Sequence, residues 1–257
     1  MAKPWADTPF ALLPTPGHPG APTCSNPDIL AVCVEMANVH NCLLRGLNSI
    51  YLQAPFVTSP ADVADLMFYT HAWAGTVHHH HSLEEKHFFP EMEILAKEAG
   101  LTNCTMESNL AQHHAFEKGL EETMKWVEEV REGKQEFDSK KLVSFIDSFA
   151  PTLTQHLHDE IGTLVKLEKC DGKRVAKAMK TTAEAGLETA VMNVMIPQVL
   201  GCVDRAYPGS GNFPPVPGIL LYLNAYWYSR KHQGAWRFNP CDHWGKKRPL
   251  LFLPESE

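Results

Sequence analysis

Proline falls in two groups at the ends of the chain and is nearly absent between them. Seven prolines lie within the first 27 residues and seven more between 208 and 254, whereas 28–171 holds only Pro55, Pro60, Pro90 and Pro151. Proline lacks the N–H that a helix interior needs, so a long stretch nearly free of it is the region where long helices can form. The expected organisation is a proline-rich arm over 1–25, a helical body over 26–171 and an extension over 172–257.

Four helical patterns fit inside the body. The first spans 26–53, with Leu30, Cys33, Ala37, His40, Leu44, Leu47 and Tyr51 advancing in alternating steps of three and four. The second starts at the Ser59-Pro60 cap and runs to about residue 99, before Gly100. The third covers 102–132, with Met106, Leu110, His113, Glu117, Leu120, Met124 and Val127 on its stripe. The fourth covers 139–169, with Leu142, Ile146, Phe149, Leu153, His156, Glu160 and Leu167. Pro90 and Pro151 are expected to bend their helices. Steps of three and four mark the apolar seam of a helix bundle, and short connections make neighbours antiparallel. The fold class expected is therefore all-α, an antiparallel up-down four-helix bundle. A further helical pattern covers 174–203. Beyond Asp204 no periodicity persists among the many aromatics, and that tail is read as a cap on the bundle or a contact in a homo-oligomer.

The seams carry residues that a core does not want. His113 and Glu117 stand where leucine is expected, His156 and Glu160 repeat the pattern, and the second helix offers Trp73, Val77, His80, Glu84 and Phe88 at the same spacing. His40 adds a lone imidazole on the first helix. Residues at i and i+4 share a helix face, so three HxxxE pairs and one histidine converge from four helices. Among the consecutive histidines 78–81, His81 with Glu85 is arithmetically possible too, but the seam through Trp73 and Val77 selects His80 with Glu84.

A single such histidine is ordinarily a hydrogen-bonded core residue. Three buried carboxylates without compensation would each cost several kcal/mol. A dimetal centre offsets that cost, and bundle cores built from His and Glu are how dimetal carboxylate sites are made. In a metal-free bundle the carboxylates would be crowded together; if their protonation outweighs that of the histidines, the apo form gains stability as the pH falls towards about 5.5.

Composition excludes several other functions. Apolar residues make up 44% of the chain and charged residues 21%, the balance of a folded domain rather than a disordered one. The net charge of −7 comes with no basic stripe along the sequence, so nucleic acid is not an expected partner. No apolar run approaches the roughly 20 residues of a membrane span, so no membrane partner is expected. Residues 1–20 contain no apolar signal core, and seven cysteines without CxxC spacing read as reduced thiols of a cytoplasmic protein.

The ordered set HNCLLRGL at His40, HSLEEKHFFP after His80, QHHAFEKGL around His113 and HLHDEIGTL at His156 resembles the hemerythrin-like, or HHE cation-binding, family, over about residues 26–170. With NSIYLQAP and the long tail it is similar to the hemerythrin-like proteins of filamentous fungi. The resemblance implies two non-haem iron ions held by His40, His80, Glu84, His113, Glu117, His156 and Glu160, with Glu84 and Glu160 bridging. The oxygen carriers of the family use HxxxH on the third helix and HxxxxD on the fourth, where this chain has HxxxE on both. The resemblance therefore points away from reversible carriage and towards binding of, or reaction with, dioxygen, nitric oxide or peroxide, or iron buffering. The alternative is a di-iron oxidase or oxygenase acting on a small organic molecule.

Overall fold

The computed structural model describes residues 4–101 and 106–254, all of whose extended regular elements are helical. Eight α-helices occur in it: α1 (Pro27–Gln53), α2 (Pro60–Leu83), α3 (Phe89–Glu98), α4 (Glu107–Arg131), α5 (Ser139–Val165), α6 (Gly172–Thr189), α7 (Met195–Leu200) and α8 (Gly218–Tyr226). Local chemistry sets their starts. The side chains of Asn26, Ser59, Asp138 and Asp171 each accept a hydrogen bond from a backbone N–H in the first turn, and Pro27 and Pro60 occupy positions where no N–H is missed. Gly100 follows α3 at φ +73°, a conformation glycine adopts without steric cost.

The four long helices close a ring: α1 packs on α2 and α5, and α4 packs on the same two. α6 lies against α1. Leu44, Leu47, Trp73, Ile146, Phe149 and Leu153 form the centre of one continuous apolar core.

Two features differ from the sequence reading. The second pattern is helical throughout 60–98, as expected, but not uniformly α: between α2 and α3 the chain makes a π turn over Glu84–Phe88, with the Phe89 N–H bonded to the Glu84 carbonyl. Widening the turn just ahead of Pro90 accommodates a ring that would meet the carbonyl of residue 86 in a regular helix. α5 continues through Pro151 as one helix, as expected. On α4 the buried stripe is Asn109, His113, Phe116, Leu120, Thr123 and Val127, while Leu110, Glu117 and Met124 are half-buried at its edge. The stripe takes the step of three where the sequence reading took four. The expected start of this helix at 102–105 lies outside the described residues.

The arm and the tail pack on the outer side of α1. Asn41 and Asn48 exchange hydrogen bonds with the backbone of Leu13 and Phe10, Ser49 donates to the Phe238 carbonyl, and Gln53 accepts from the Phe252 N–H. Trp73 on α2 donates its indole N–H to the Leu43 carbonyl of α1 at 2.8 Å, which requires the two helices to approach closely. Gly46 permits it: a Cβ there would lie 2.5 Å from Trp73 Cδ1. Gly46→Ala is expected to destabilise the protein by about 2 kcal/mol, because an overpacked core must shift. A denaturant midpoint unchanged by this substitution would contradict the packing.

Candidate metal centre

Consecutive residues on a helix point about 100° apart. Because α2 sits between α1 and α4, two successive histidines can each face a neighbouring helix. The His80 ring lies 5.3 Å from that of His40 on α1, whereas the His81 ring lies 4.4 Å from that of His113 on α4 and 5.1 Å from that of His156 on α5. Glu84, four residues beyond His80 and three beyond His81, falls between them. Its two oxygens stand 3.1 Å from His80 Nε2 and 3.7 Å from His113 Nε2.

Two sets of ligand atoms result, each with its atoms within 4.8 Å of one another: His81, Glu84, His113 and His156 in one, His40, His80 and Glu84 in the other. Glu84 belongs to both. Glu160 approaches one member of each, with Oε2 at 3.3 Å from His40 Nε2 and 3.7 Å from His156 Nε2.

The protein alone leaves this cluster unsatisfied. His40 Nε2, His80 Nε2, both nitrogens of His81 and all four oxygens of Glu84 and Glu160 are buried without a hydrogen-bond partner. Each such group costs on the order of 1–3 kcal/mol. The outward nitrogens, in contrast, are engaged. His40 Nδ1 donates to the Leu157 carbonyl at 2.8 Å, His113 Nδ1 to Glu85 at 2.7 Å, and His156 Nδ1 to the Gln112 side-chain oxygen at 3.3 Å. With Nδ1 engaged outward, each ring turns its Nε2 inward. His113 Nε2 and His156 Nε2 then face each other 3.0 Å apart, an arrangement that a shared cation satisfies.

Burial sets the charge states. It drives the pKa of His80, His81 and His156 well below the ordinary 6.5, where neighbouring histidines depress them further, and lowers that of His113 against the opposing hydrogen bond to Glu85 and the Glu160 charge. Glu84 is pushed well above the carboxylate range, first by burial and then by the Glu160 charge beside it. Neutral imidazoles are the ligating form, and a cation would return Glu84 to its ionised state.

Of the residues expected from sequence, His40, His80, Glu84, His113, His156 and Glu160 come together here. Glu117, like Glu160, is in neither set, and unlike Glu160 it has no carboxylate oxygen within ion-pairing distance of a cluster histidine. It is half-buried, and with His81, Glu85, His113 and Phe116 it walls a cavity of about 40 Å³ beside the cluster. Phe116, one residue earlier, takes the inward place. The residue that sequence reasoning passed over is His81; its signal was adjacency to His80 on a helix with a partner on either side.

The family model for the Hemerythrin HHE cation binding domain matches residues 34–167, which contain all of these side chains. Over its whole length the chain is 38% identical to the "Dimeric xanthone biosynthesis cluster protein R11" of Cryptosporiopsis sp. (strain 8999), covering 96% of that protein. No solved structure matches. The His/Glu cluster is thus a candidate cation site inside a matched cation-binding domain, and this chain belongs to the hemerythrin HHE cation-binding domain family.

Proposed function

We propose that this protein holds two iron ions in a non-haem di-iron centre and uses them to bind or react with dioxygen or a comparable small ligand, nitric oxide or peroxide, with iron buffering as the other use of the same site. The observation that carries the reading is the pair of ligand sets joined through Glu84. His40, His80, Glu84, His113, His156 and Glu160 would hold the pair, with His81 added to the sequence-derived set and Glu84 common to both groups. Glu117 is assigned to the cavity wall. Iron supplies redox chemistry and an open position for a small ligand. The chain's own residues orient the imidazoles, keep those of His80, His81, His113 and His156 neutral and exclude bulk water.

The ring of α1, α2, α4 and α5, joined by short connections, supports an antiparallel up-down bundle over 26–171, with the arm and the extension as its cover. The cavity of about 40 Å³ supports a small ligand, since one water occupies about 10–15 Å³ on this measure and an aromatic ring would not fit.

Metal analysis and an absorption spectrum of the reduced protein before and after exposure to dioxygen test the proposal. About two iron ions per chain and a new charge-transfer band are expected; less than half an equivalent of metal after iron supplementation would sink it. A second reading is a di-iron oxidase or oxygenase acting on a small organic molecule. The name of the Cryptosporiopsis relative, a protein of a dimeric xanthone biosynthesis cluster, favours it. Continuous dioxygen consumption with reductant and an added aromatic would support this second reading, and a single stoichiometric uptake the first.

Glu85 offers a finer probe. It accepts from His113 Nδ1 and so fixes the tautomer of that ring. Glu85→Ala is expected to weaken metal binding by about 10- to 100-fold in chelator competition, as loss of such supporting partners does. The exposed Glu121→Ala serves as the unaffected control.

A further inference from the structure

α8 is built inside out. Its one buried residue is the amide Asn224, fully enclosed and within 3.4 Å of His243 Nδ1, while its outer face is apolar and aromatic. Ile219 is 64% exposed, Tyr222 57%, Tyr226 61% and Trp227, just past the helix end, 72%, with Leu223 among them. The spacing i, i+3, i+4, i+7 and i+8 puts these five side chains on one stripe. Trp244 extends the stripe, its ring edge-on to Tyr222 at 5.2 Å and itself exposed. An apolar face of this extent turned to water marks a surface that meets something.

Charge indicates what it meets. Residues 204–257 carry seven Lys and Arg against four acids, a net of +3 in a chain whose total is −7, and of the seven Arg237 pairs with Asp62 and Asp65 and Lys247 with Asp204. Arg230 and Lys231 follow Trp227 closely, Lys246 lies two residues beyond Trp244, and all three are exposed. Among the described residues none of the three has a carboxylate within ion-pairing distance. Tyrosine and tryptophan beside free lysine and arginine are the composition of segments that lie in the boundary layer of a membrane, rings at headgroup depth and cations on anionic lipid. A second copy of the chain fits less well, since a two-fold contact through this face would bring both basic clusters together. No helix among the described residues is long and apolar enough to cross a membrane, but a helix that lies on one needs no such length.

We propose that the α8 face, with Trp244 and the flanking Arg230, Lys231 and Lys246, docks on an anionic lipid surface. Flotation of the full-length, metal-loaded protein with vesicles tests this, using phosphatidylcholine alone and with about 30% phosphatidylserine. The protein should float with the anionic vesicles and not with the neutral ones, and about 0.5 M salt should release it. Tyr222→Ser/Tyr226→Ser/Trp227→Ser should abolish flotation with metal content and melting temperature unchanged, because none of these rings is in the core. Arg230→Gln and Lys246→Gln should each weaken binding by about fivefold. Absence of flotation with either vesicle, or flotation that survives the triple substitution, overturns the proposal. So does a dimer in light scattering that the triple substitution converts to monomer while vesicles remain unbound, which would assign the face to a second copy.

Discussion

Removal of the metal by chelation is expected to lower the melting temperature at pH 7.5 by about 10 °C. A ligand bound only by the native state stabilises it by about 4 kcal/mol at a thousandfold excess over Kd, and in a chain of this size each kcal/mol moves the midpoint by about 2–4 °C. The metal-free protein should then respond to acid in a definite direction. His80, His81, His113 and His156 have depressed folded pKa values, so below the unfolded value of about 6.5 the unfolded chain binds more protons at these sites and their stability contribution is lost as pH falls. Glu84 opposes this: its raised pKa contributes stability that is present at low pH and lost as pH rises through the folded value. Four histidines outweigh one carboxylate. Each net proton taken up on unfolding is worth about 1.4 kcal/mol per pH unit, so the apo protein should melt lower at pH 5.5 than at 7.5. This reverses the expectation that the carboxylates dominate. Thermal melts of chelated and loaded protein at both pH values decide it; equal midpoints for the two forms at pH 7.5 would mean that the cluster holds no metal.

Substitution of Glu84 by alanine is expected to empty the centre. Glu84 is the residue common to both ligand sets, so its loss removes a ligand from each position and a negative charge that bound cations would need. Metal content should fall from about two ions per chain to below about half an ion. Glu117→Ala separates two registers of α4. If Phe116 holds the inward position, the alanine variant keeps its metal and changes only access to the cavity; if the step of four were right, it would lose metal as Glu84→Ala does. Parallel metal analyses of the two variants distinguish these outcomes.

The bundle and most of the cluster were legible because they rest on one rule, that residues three or four apart share a face. His156, Glu160 and the apolar stripe of α5 lie where that rule puts them, all buried. On α4 the same rule has two solutions, and the sequence gives no means to prefer Glu117 over Phe116, since the choice is made by the helices on either side. His81 was hidden for a related reason. A seam drawn as a single line admits one residue per turn, whereas a helix enclosed by two neighbours buries a wider arc that takes in both His80 and His81. α8 escaped notice because periodicity is read on the premise that apolar residues point inward. Here the polar Asn224 does so, and the Tyr and Trp residues read as tail.

The outer side of α1 bears on how the protein is made. Asn38, Asn41, Arg45, Asn48, Ser49 and Gln53 form a buried polar row there, and its partners come from opposite ends of the chain. Leu13 and Phe10 cover part of it early, but Asn38 meets Gly209 and Ser210, Arg45 meets Cys202 and Asp204, and Ser49 and Gln53 meet Phe238 and Phe252. Trp5 donates to the Arg248 carbonyl, tying segments 243 positions apart. On the ribosome, every candidate ligand of the cluster has been synthesised once residue 160 is in place, yet the cover on this side of α1 is complete only after some ninety further residues have emerged. The candidate ligands of the hemerythrin-like segment are therefore all synthesised before much of the cover that closes the outer side of α1. Excised at its family boundaries, that segment would carry a row of stranded amides and a guanidinium where the intact protein has a wall.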